Sequence, residues 1–94
     1  MTDSDLKQTI TLLQEWVGYN AIAHTRQATF HDAIDIEVER TYLSMLAGVL
    51  LKDITSETTS PETLEVIAEF STHLEKFKGL LTMEVLRNGL DDKK

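Results

Sequence analysis

Ser60-Pro61-Glu62 opens a stretch in which Ile67, Phe70, Leu74, Phe77 and Leu81 recur at alternating spacings of three and four residues. Apolar side chains with that period share one face of an α-helix. The serine is a helix cap, and the proline suits the first helical position, where an N–H has no intrahelical partner. The glutamate then meets the positive end of the helix dipole. Leu64, Met83 and Val85 add to the flanks of the seam. Asn88-Gly89-Leu90 reads as a stop, the glycine taking the left-handed conformation and Leu90 folding back on the last turn. The stretch predicts a helix over 61–88 with one buried face.

Upstream, Thr55-Ser56-Glu57-Thr58-Thr59 is a polar linker, and before it Thr41 to Leu51 are apolar on most sides. That composition predicts a central helix over 33–54, covered on more than one face. Asp32 is its expected cap, with Asp35 and Glu37 on the positive end of its dipole. Farther upstream, Asp3 or Ser4 caps a helix over 4–30 in which Leu6, Ile10, Leu13 and Val17 form an apolar stripe. The same path continues through Asn20, His24, Gln27 and His31, so the stripe turns polar in its second half. Gly18 leaves an alternative, a first helix that breaks there and a four-helix arrangement. In the unbroken case Gly18 and Gly48 share a level and are expected to let two backbones approach closely. The predicted fold is all-α, an antiparallel three-helix bundle forming one domain over 1–94 with frayed termini.

Ninety-four residues with an apolar fraction of 41% allow one packed core and leave a thin stability margin. Self-association, most simply as a homodimer, is therefore expected. No cysteine is present, which excludes disulfides, thiolate zinc sites and thiol nucleophiles. The amino-terminal residues are acidic and polar, and no apolar run approaches the ~20 residues that cross a bilayer. A cytoplasmic protein without a membrane anchor is expected. Sixteen acidic against nine basic residues give a formal charge of -7, which repels phosphate backbones and anionic headgroups; it reads first as a charge that keeps a small helical protein soluble, with attraction to a protein partner with a basic surface as the alternative.

Chemistry-bearing constellations are sparse. Di-iron bundles use a Glu-x-x-His pair, and none occurs here. His24 and His31 lie two turns apart, too far to share a metal without ligands from another helix or subunit. They read first as polar-seam or partner contacts, with a metal or a protonation switch as alternatives. Glu65, Glu69 and His73 form a column in which His73 reads as a solvated residue. Ser44 and Ser71 have no histidine at helical contact spacing, so covalent catalysis has no basis. The size and helix count resemble the helical type of chorismate mutase, whose intertwined subunits bind a dianion through several cations. Arg26, Arg40 and Arg87 are the only arginines beside an excess of seven acids, which leaves that chemistry without its converging charges.

Trp16 lies beside the Val17 stripe, and Tyr19 follows three residues later. Either Trp16 closes the edge of the core, or the pair forms an exposed aromatic patch of the kind that anchors interfaces. The expected function is that of a non-enzymatic regulator, inhibitor or adaptor that binds another protein, without a cofactor. Its candidate contact residues are Trp16, Tyr19, His24, Gln27, His31, Asp35, Glu37 and Glu39. The alternative is a self-assembling dimer that encloses a metal or small ligand at His24 and His31.

Overall fold

In the computed structural model, which describes residues 2–26, 29–56 and 61–92, the chain is an all-α three-helix bundle. The helices are α1 (Asp3–Arg26), α2 (Ala33–Thr55) and α3 (Pro61–Asp92), and the bundle measures 52 × 21 × 18 Å. Consecutive helices run antiparallel, because short connections return each chain segment alongside the one before it. Two contacts fix the register of α2 against α3. Glu84 meets the α1–α2 turn at one end, and Thr63 donates to Asp53 at 2.9 Å at the other.

α3 folds as its spacing dictates. Ile67, Phe70, Leu74, Phe77 and Leu81 are all buried, and Thr63 and Glu84 extend the same seam by a turn at each end. Pro61 occupies the first helical position. The stop expected at Asn88-Gly89-Leu90 is not used, since the helix continues through Gly89 to Asp92. Ser60, the expected cap, lies outside the described residues.

α2 buries one face, made by Ile36, Glu39, Leu43, Leu46, Ala47 and Leu50. The expectation of a helix covered on several faces is not met. Its two neighbours lie on the same side, so Ile34, Val38, Met45, Val49 and Leu51 remain exposed. Asp32 holds the N-cap position without capping through its side chain, because the carboxylate is drawn 2.7 Å from Arg87 Nη1 instead.

α1 is continuous through Gly18, so the four-helix alternative does not arise. Its cap is Thr2, whose hydroxyl accepts from the Asp5 N–H at 3.1 Å, rather than Asp3 or Ser4. The buried face carries Thr9, Trp16 and Ala23, with Leu12, Leu13 and Tyr19 packed beside it. This is about one residue round the helix from the expected stripe, and Val17 is left 65% exposed. The rotation also removes the expected contact between Gly18 and Gly48. A Cβ on either would meet no atom within 4 Å.

An exposed glycine inside a helix costs stability through backbone entropy without a compensating contact. Gly18→Ala is therefore expected to stabilise the bundle by about 0.5–1 kcal/mol, read as a higher urea midpoint at unchanged slope. A loss of stability would mean that another backbone does approach α1 at that level.

Candidate functional site

Two buried carboxylates anchor polar clusters on the α3 side of α2. Glu39 accepts from His73 Nδ1 at 2.8 Å and from Lys76 Nζ at 2.9 Å. Burial pushes its carboxyl up, but the two donors and their charges outweigh burial and hold it below the usual carboxylate range. His73 thus serves as a buried-carboxylate partner rather than a solvated residue, and its ring lies edge-on to Tyr42 with centroids 4.6 Å apart. Tyr42 donates its hydroxyl to Glu69 at 2.7 Å, and that bond raises the phenol above its ordinary value.

Glu84 is the second anchor. It reaches from α3 to accept the backbone N–H groups of His31 and Asp32, each at 2.9 Å. Burial opposes its ionisation, and the two amides together with His31 more than reverse the effect, so its carboxyl also lies below the usual range. Arg87 bridges Glu84 at 3.5 Å and Asp32 at 2.7 Å across the same turn. Among the described residues no buried side-chain nitrogen or oxygen lacks a hydrogen-bond partner. In both clusters each buried carboxylate oxygen meets a protein donor, which fastens α3 to α2 and to the α1–α2 turn.

The side between α1 and α2 is different. At the bundle's middle, Trp16, Asn20, Glu37, Arg40, Thr41 and Ser44 line a polar cleft of about 320 Å³. Within this lining Arg40 donates Nε to Asn20 Oδ1 at 2.6 Å and Nη1 to Glu37 at 3.2 Å. Toward the amino-terminal half of α1 the lining changes to Ile10, Leu13, Gln14, Val17, Leu51 and Ile54, around an open groove of about 420 Å³. Gln14 is its one polar side chain. The rotation of α1 creates this groove, because it swings Trp16 into the core and carries Ile10 and Val17 outward beside Leu51. From Gln8 to Ala23 the helix has one charged residue, Glu15, which is drawn toward Lys78 of α3 at 3.8 Å. From Thr41 to Leu51 helix α2 has none.

The residues singled out in the sequence do not converge. Trp16 is 7% exposed and belongs to the core, so it presents no surface patch. Tyr19 is half-buried, with Lys78 Nζ 5.6 Å from its ring centroid. His24 is exposed near the end of α1, while His31 lies in the α1–α2 turn, bonded to Glu84. Asp35 and Glu37 are exposed on α2, and Glu39 is buried against α3. Gln27 lies outside the described residues. No group of three His, Asp or Glu suited to a metal occurs among the described residues. The arginines do not form a shared cationic site, since Arg40 is held by Glu37 and Arg87 by Asp32 and Glu84.

Ile10, Val17, Leu51 and Ile54 are the site residues that sequence reasoning missed. Ile10 and Val17 stand in the apolar stripe expected to face the core, and the structure places them at solvent. No described helix is long and apolar enough to cross a membrane. No family model, curated protein or solved structure matches the chain.

Proposed function

We propose that the protein is a binding module, a regulator or adaptor that takes an amphipathic helix of another protein into the groove between α1 and α2. The observation that carries this reading is the cluster of five apolar side chains, Ile10, Leu13, Val17, Leu51 and Ile54, gathered at solvent in one groove. Apolar surface concentrated in this way gains free energy when covered, at roughly 25 cal/mol per Å². A groove between two near-parallel rods fits a third rod, which would occupy the fourth position of a four-helix bundle. Its anchors would recur at three and four residues, as in other helix-in-groove complexes. The net charge of -7 favours encounter with a helix whose outer face is basic, through association rate more than through final affinity.

The reading is tested with a display library of helical peptides, selected on the wild-type protein alone and then measured against the double variant Val17→Lys, Leu51→Lys. Both positions are exposed, so the variant is expected to keep its fold and lose less than about 1 kcal/mol. Selected peptides should show apolar residues at helical spacing and bind the variant at least about a hundredfold more weakly, which corresponds to ~2.7 kcal/mol. Peptides that bind both proteins equally would place recognition elsewhere.

A further inference from the structure

Helix α2 carries a second seam, directly opposite the one that faces the core. Ile34, Val38, Thr41, Met45, Gly48 and Lys52 follow one another at spacings of four, three, four, three and four residues, which is the repeat of a helix that packs along its length. Ile34 is 80% exposed, and Val38 and Met45 are exposed with it. Val49 broadens the stripe on one flank. Thr41 also borders the polar cleft beside Trp16, but no member of the stripe lines the apolar groove between α1 and α2, so the two are different surfaces.

We infer that this stripe is a homodimer seam, in which α2 packs antiparallel against α2 of a second copy. The charges at its ends select both the occupant and the direction. Asp35 and Glu37 flank the amino-terminal end, Lys52 closes the carboxy-terminal end, and Thr41 to Leu51 between them are uncharged. Lys52 has no ion pair among the described residues. A parallel pair would set like charges against like at both ends. An antiparallel pair instead sets Lys52 beside the partner's Asp35 and Glu37, and does so twice by symmetry.

The register follows from the same spacings. With Lys52 level with the partner's Ile34, Val38 falls level with the partner's Gly48, and Thr41 with the partner's Met45. Each large side chain then faces a smaller one. Gly48 has open space where a Cβ would stand, so the partner's Val38 has room to seat against the backbone of α2. The arrangement also opposes the two helix dipoles. Because the seam lies on the outer face of α2, each copy keeps its own α1–α2 groove, and the dimer presents two.

Sedimentation velocity of the full chain over a concentration series tests the inference. Wild type is expected to show a monomer–dimer equilibrium. Met45→Lys, on the outer face, should keep its helical circular dichroism and raise the dimer dissociation constant about a hundredfold, since it brings two cations to the centre of the seam. Lys52→Glu should weaken the dimer about tenfold by facing the partner's acids, and adding Asp35→Lys and Glu37→Lys should restore it. The groove variant Val17→Lys, Leu51→Lys should dimerise as wild type does, whether or not it binds helical peptides. A wild-type protein that stays monomeric, or a dimer indifferent to Met45→Lys, overturns the seam. Failure of the triple charge reversal to recover the dimer overturns the antiparallel register.

Discussion

Trp16→Ala is expected to remove about 3–5 kcal/mol of stability, the usual cost of truncating a large aromatic in a packed core. The indole fills the space between α1 and α3. Its ring stands edge-on to Phe70 with centroids 6.4 Å apart, and tilted against Phe77 at 5.5 Å. Such ring pairs add to the area they bury. The loss falls mainly on α1, because its other buried residues are Thr9 and Ala23, both small. A bundle of this size holds roughly 5–15 kcal/mol in total, so the variant should melt about 15–30 °C lower. Amide exchange should show α1 losing protection ahead of α2 and α3, whose fastenings at Glu84 and at Thr63–Asp53 do not involve the indole. The control is the adjacent residue. Val17→Ala should cost less than about 1 kcal/mol, because Val17 is exposed. Equal losses at the two positions would mean that α1 is rotated back toward the stripe expected from sequence.

That rotation shows what the sequence could and could not convey. In α3 the large apolar residues stand at one phase among polar ones, so a single face is possible and the seam from Ile67 to Leu81 was readable without tertiary information. In α1 two apolar phases coexist, about 100° apart. One runs through Ile10, Leu13 and Val17, and the other through Leu12, Trp16, Tyr19 and Ala23 with Thr9 among them. The first runs from Leu6 to Val17 without a polar interruption, whereas the second contains Thr9 and is favoured by contact area. The threonine that disguises the second phase is cheap to bury, since its hydroxyl donates to the Asp5 carbonyl at 2.7 Å. The groove was therefore invisible for the same reason that the core of α1 was misplaced.

Glu39 and Glu84 were unreadable for another reason. A buried carboxylate depends on partners, and theirs come from far along the chain: His73 and Lys76 for Glu39, and the turn at His31 and Asp32 for Glu84. One clue was present. Glu84 lies three residues after Leu81, in phase with the α3 seam, where an acid is anomalous enough to ask what it binds.

Glu84→Gln, an isosteric change, is expected to cost about 3 kcal/mol at neutral pH. The wild-type carboxylate is 1% exposed and offers one oxygen to each of two backbone N–H groups. Hydrogen bonds to a charged acceptor contribute about 1.5–3 kcal/mol each, and glutamine keeps one acceptor while turning an NH2 group toward a donor. Arg87→Ala should cost less than about 1 kcal/mol, because Arg87 is partly solvated and its pairing with Asp32 is near the surface. The pH dependence separates this electrostatic loss from a packing defect. The Glu84 carboxyl titrates below its ordinary value of 4.5 in the folded chain. Its contribution is thus complete above the unfolded value and is lost as pH falls through the depressed folded one. The gap between wild type and Glu84→Gln, followed by urea unfolding, should be widest at neutral pH and close in acid as the wild-type carboxyl gains its proton. Glu39, lowered in the same direction, remains in the variant, so an acid limb should persist there with a smaller amplitude. A gap that stayed constant from neutral pH into acid would show that residue 84 acts through shape alone.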